Sequence, residues 1–111
     1  MLKFDSKGYL KPYRPIACSV KDLKTYLVDG IISRTRKLNY DNYIDYSNDL
    51  KTLLGGRPIR QWINGSFVTK KTNPKDIDLV TFIDSETIKK LGSKLNSFKP
   101  EGSWLVYEVD A

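Results

Sequence analysis

The 111 residues carry 19 Lys/Arg against 13 Asp/Glu, a net charge of +6, with 40% apolar and 12% aromatic side chains. Such a chain is long enough for one folded domain with a modest core, and too apolar for a disordered tail. One cysteine and no histidine exclude an internal disulfide, an ordinary zinc site and any mechanism built on a histidine base.

Residues 1–18 hold Pro12 and Pro15 among Tyr9, Leu10 and Tyr13, which predicts an extended arm anchored by its tyrosines and Leu10. Cys18 reads as a small packed side chain. Ser19 caps a helix through Val20, Leu23, Tyr26 and Leu27, which Asp29-Gly30 ends. A longer helix begins between Ser33 and Asp41 and stops at Gly55-Gly56, with Tyr40, Tyr43, Ile44, Ser47, Leu50, Leu53 and Leu54 on one stripe. Arg34, Arg36 and Lys37 form a basic cluster near its start, read as a solvated face or a polyanion contact. Ile59–Asn64 is predicted as the first core strand. Trp62 is then core or a platform under the following turn, with stacking on a nucleobase as the alternative. A second strand is expected over Asp76–Ile83, its continuous apolar run suggesting cover on both faces. Asp84 or Ser85 caps a third helix with Ile88, Leu91, Leu95 and Phe98 on one stripe. Ser103–Asp110 is predicted as a third strand. The fold class is therefore α/β or α+β: one domain, with an arm over 1–18, a helical part over 19–54, and a motif-bearing small mixed sheet of three or four strands over 58–111.

The chemistry concentrates in residues 64–80. Asp76 and Asp78 are two apart, so an extended backbone puts both on one face with Cα atoms about 6.5–7 Å apart. Ile77 and Leu79 then point into the core. Paired carboxylates repel unless neutralised, and a divalent cation with oxygen ligands is the usual answer. The alternative is a plain turn and strand start, against which stands the cost of placing Asp78 in an apolar strand without a partner. Gly65-Ser66 reads as a tight turn whose N–H groups and hydroxyl can cradle phosphate oxygens, or as a plain hairpin turn.

Gly65-Ser66, nine residues, then Asp76-Ile77-Asp78 resembles the motif of the nucleotidyltransferase superfamily: Gly-Ser, about ten residues, then acidic–apolar–acidic. The resemblance spans about fifteen residues and is nearest to small bacterial members with Gly-Ser-Phe-Val-Thr before Asp-Ile-Asp. It implies a nucleotidyltransferase-like fold and transfer of a nucleoside monophosphate from an NTP to a hydroxyl of RNA, tRNA, a protein or a small molecule. It further implies Mg²⁺ (or Mn²⁺) held by Asp76, Asp78 and a third carboxylate from a neighbouring strand. Asp110 fits the third position best, with Glu108 as fallback; that strand is expected to end at its acid, one residue before the chain stops. Gly65 and Ser66 would hold β- and γ-phosphate oxygens. Lys70, Lys71 and Lys75 would add phosphate contacts or form a solvated loop. Relatives of this size suggest a toxin–antitoxin or defence setting, with a cognate antitoxin or a second copy as partner.

The charge excess lies wholly in residues 1–60, with 12 Lys/Arg against 6 Asp/Glu, while residues 61–111 balance 7 against 7. A basic half attracts polyanions, or is simply a soluble surface. A non-catalytic module binding nucleic acid or a partner protein is thus the alternative function, and a carboxylate-metal nuclease a third. No apolar run nears the roughly 20 residues of a bilayer span, and Met1–Ser6 begins no secretory signal, so a cytoplasmic protein free of membrane is expected.

Overall fold

The computed structural model describes residues 2–110. Strand β1 (Lys3–Phe4) pairs antiparallel with β2 (Leu10–Lys11), turning through Gly8. The arm is therefore a small hairpin. Leu2 is buried and Phe4 and Leu10 pack against the core, but Tyr9 and Tyr13 are exposed, so the expected tyrosine anchors are not anchors. A backbone bond from Lys70 N–H to Gly8 O and a bridge between Tyr9 and Thr69 tie the hairpin to the connection between the two motif halves.

Ser19 caps α1 (Val20–Lys24) by accepting from the Asp22 N–H at 3.0 Å, and a π-helical turn carries the chain to Asp29 before Gly30. Cys18 is exposed rather than packed. Helix α2 (Arg36–Leu53) buries Tyr43, Tyr46, Ser47 and Leu50 along one stripe. It stops where Gly55 and Gly56 take positive φ, which side chains with a Cβ resist.

Strands β3 (Arg60–Asn64) and β4 (Asp78–Phe82) pair antiparallel in the register Arg60↔Phe82, Trp62↔Val80 and Asn64↔Asp78 on one face, Gln61↔Thr81 and Ile63↔Leu79 on the other. Only the second face meets the core. Trp62, Val80 and Phe82 are exposed, so Trp62 is not core and β4 is not covered on both sides. Asp84 caps α3 (Ser85–Leu91) by accepting from Thr87 N–H. The expected long stripe is broken at Gly92, where φ is +51° and the chain tightens into 3₁₀ turns to Phe98. Leu95 is still buried, but Ile88 is exposed.

The largest departure is in the expected strand Ser103–Asp110, most of which is found in helix α4 (Gly102–Tyr107). Trp104, Leu105 and Val106 have strand-forming side chains, but all three face outward. The inward pair is Ser103 and Tyr107, four apart, which is helical spacing. Tyr107 stacks on Phe98 and meets Tyr46 edge-on, and Ser103 Oγ donates to Val109 O. The chain then returns parallel to β4 in the bridge Asp78↔Asp110, through Leu79 N–H to Asp110 O and Asp110 N–H to Ile77 O. The result is an α+β domain with two small two-stranded sheets rather than one sheet of three or four strands. Among the described residues no helix is long and apolar enough to cross a membrane.

The core joins Leu27 and Tyr46 of the helical half to Phe67, Ile77 and Val109, which flank the motif residues and are wholly or almost wholly buried. Each such side chain stabilises the fold by roughly 1.5–3 kcal/mol, so the backbone beneath the acids is firmly seated.

Candidate functional site

Asp76 lies in the approach to β4, Asp78 is its first residue, and Asp110 is carried in by the parallel bridge. Ile77 and Leu79, buried between and after the first two acids, lock their orientation. One carboxylate oxygen from each of the three acids lies within 4.8 Å of the others. Asp76 and Asp78 are half-buried and Asp110 is exposed. Burial, hydrogen bonding to Asp110 and repulsion from Asp76 and Asp110 push the Asp78 carboxyl up to about 6. Charging all three acids together is therefore unfavourable.

The donor set suits a hard divalent cation. Three carboxylates are all-oxygen ligands, and with one oxygen from each within 4.8 Å of the others they are near enough together to share one ion.

Gly65 completes the centre. Its φ of 78° and ψ of −165° belong to a region essentially reserved for glycine, and a Cβ there would overlap the Asp78 carboxylate. The Gly-Ser turn is thus pressed against the acid it precedes in sequence by thirteen residues. Ser66 begins the single 3₁₀ turn Ser66–Val68, and its carbonyl accepts from Thr69 Oγ1 at 2.7 Å.

The lysines divide. Lys75 stands beside the acids and lays its ammonium over the Trp104 ring at 5.2 Å. Lys70 instead covers Phe4 of the arm at 5.2 Å, and Lys71 is exposed beside it. Glu108 is not part of the cluster: it sits in a left-handed conformation, φ 55°, where α4 ends, so the premise that it shares a strand face with Asp110 fails.

The connection between the motif halves is held by residues the sequence placed elsewhere. Arg36, read as part of a surface basic cluster, is 1% exposed. Its guanidinium donates to the carbonyls of Leu27 (2.8 Å), Phe67 (2.6 Å), Lys71 (2.7 Å) and Thr69, and lies over the Phe67 ring at 5.2 Å. Asn39 Nδ2 donates to Pro74 O at 3.0 Å, and Asn73 Oδ1 accepts from the Arg34 N–H at 2.8 Å. These contacts fix the course of residues 67–74 and hence how Gly65 meets Asp78. A signal existed: Arg36 and Asn39 fall on the Tyr43–Leu50 stripe, and polar residues on a buried stripe need polar partners.

Residues 2–111 match the model of a family described as of unknown function, DUF6932. The chain belongs to that family. No curated protein and no solved structure matches it. What distinguishes this DUF6932 member is the site itself: three acids from two separated stretches, a glycine whose missing side chain makes room for one of them, and a clamped loop between.

Proposed function

We propose that this protein is a metal-dependent nucleotidyltransferase that moves a nucleoside monophosphate from an NTP to an acceptor hydroxyl in a reducing, cytoplasm-like compartment. The observation that supports this most is the meeting of Asp76, Asp78 and Asp110 beside the Gly65-Ser66 turn. Resemblance of these residues to the nucleotidyltransferase motif supports it independently. Asp76 and Asp78 would hold Mg²⁺ or Mn²⁺, with Asp110 completing the set. When bound, the metal supplies neutralisation of charge on the α-phosphate and the departing pyrophosphate. Gly65 and Ser66 offer backbone N–H groups and a hydroxyl to the β- and γ-phosphate oxygens. Lys75 adds a positive charge at the rim. Asp110, the most exposed of the three acids, takes the proton from the acceptor hydroxyl. The acceptor oxygen then bonds to the α-phosphorus as the bond to pyrophosphate breaks.

The test incubates the protein with α-labelled NTPs, Mg²⁺ or Mn²⁺, and bulk RNA or cell lysate, beside an Asp76→Ala/Asp78→Ala control. Label incorporated by the parent alone supports the reading. Equal incorporation by the double variant, or none by the parent across all acceptor pools, ends it.

A further inference from the structure

A groove of about 2050 Å³ runs between the N-terminal hairpin and β3 and reaches the Gly65-Ser66 turn. Among the described residues six cationic side chains line it, Lys7, Arg14, Lys51, Arg60, Lys70 and Lys71, and Asp5 is its only acid. That concentrates nearly all of the protein's charge excess along one channel. Exposed aromatic rings stand among these cations: Tyr9 and Tyr13 on the hairpin side, at 54% and 77% exposure, and Trp62 on the sheet side, at 44%. Trp62 meets Phe82 edge-on at 5.2 Å, and the Arg60 guanidinium lies over Phe82 at 5.4 Å, so the cation and the rings form one surface. Trp62 is two residues from Asn64, the partner of Asp78, and shares its face of the sheet, which connects that surface to the acid cluster.

We propose that this groove binds single-stranded nucleic acid, its phosphates tracked by the cations and its bases stacked on Trp62 and the hairpin tyrosines, with the strand end delivered to Asp78 as the acceptor. A basic groove with interleaved aromatic faces is the arrangement that grips unpaired bases whatever their sequence. Duplex fits it less well, because its bases are not free to stack. The binding claim stands on the groove alone. The claim that the strand is the acceptor rests on the transfer reading above.

Binding is measured by fluorescence anisotropy with a labelled mixed-sequence single strand of about 12 nucleotides, a spread within the range such channels cover. Chelator is present and NTP absent, so the assay reads binding without chemistry. The single strand should bind more tightly than the matching duplex. Trp62→Leu should weaken it about five- to 150-fold, the loss of one stacked base. The Arg14→Gln/Arg60→Gln pair should flatten the dependence of log affinity on log salt by about 1.4, two phosphate contacts on a single strand. Tyr13→Ser, at a highly exposed ring, provides a second stacking variant should Trp62→Leu not fold. Asp78→Asn should bind at least as tightly as the parent. Absence of single-strand binding, preference for duplex, insensitivity to these variants, or equal displacement by an acidic peptide overturns the inference. Binding without label transfer would sink the transferase reading alone; transfer to another acceptor without strand binding would sink this inference alone.

Discussion

Asp78→Asn isolates the electrostatics of the acid cluster. The substitution keeps the side chain's volume and removes its charge, so the difference from the parent reads one carboxylate. In the folded protein that carboxyl is pushed up to about 6 by burial and by its acidic neighbours; in the unfolded chain it sits near 3.9. Below about pH 4 both states are protonated and nothing is lost. Between about pH 4 and 6 the unfolded chain gives up the proton that the native state keeps. Stability therefore falls as pH rises through that window and levels off above it. Two pKa units correspond to about 3 kcal/mol, which water reaching a half-buried group reduces to about 1–2 kcal/mol. For a domain of this length that is a drop of about 4–8 °C in Tm between about pH 4 and about pH 8. Circular dichroism melts of parent and variant at both pH values, in chelator, give the difference directly. The variant should be the more stable protein at about pH 8 and should lack this component of the pH slope. Mg²⁺ at about a hundred times its Kd should return roughly 2.7 kcal/mol to the parent at about pH 8 and far less to the variant. Parallel pH profiles for the two proteins, or a parent whose Tm ignores Mg²⁺ and Mn²⁺, would refute the description of this cluster as strained and cation-ready.

Gly65→Ala places a methyl group where the Asp78 carboxylate lies and asks alanine to adopt a glycine-only conformation. It should cost about 1–3 kcal/mol in urea unfolding and abolish the Mg²⁺-dependent rise in Tm, since Asp78 must move. Arg36→Met strands four backbone carbonyls beneath the 67–71 loop, so its urea midpoint should fall by the equivalent of about 3–5 kcal/mol. An unchanged midpoint would show that water or side chains replace the guanidinium. Glu108→Gly relieves a left-handed residue and should raise stability by about 0.5–1 kcal/mol while leaving label transfer unchanged; Asp110→Asn should abolish transfer.

Local signals survived into the structure where a short segment determines its own outcome. Ser19 and Asp84 cap helices because their side chains reach an N–H three residues on. Gly55-Gly56 ends α2, and Ile77 and Leu79 point inward because strand side chains alternate. Gly65, Asp76 and Asp78 could be named from the chain as motif residues at fixed spacing, whereas Asp110 stood there as the favoured third acid with Glu108 as its fallback. What lay beyond the sequence depended on distant partners. Residues 102–107 became helix because Tyr107 found Phe98 and Tyr46, a contact no strand propensity encodes. Arg36 left the surface because five carbonyl contacts from distant turns surround it, and Trp62 left the core because only one face of β3–β4 is covered. The groove is assembled from a hairpin, a helix and a strand edge, so the basic excess of residues 1–60 was legible in the sequence but its gathering into one channel was not. Spacing along the chain fixes which way neighbouring side chains point; only tertiary packing decides which distant acids meet and which surfaces are left open, and on this protein the first carries the proposed transfer and the second the proposed strand binding.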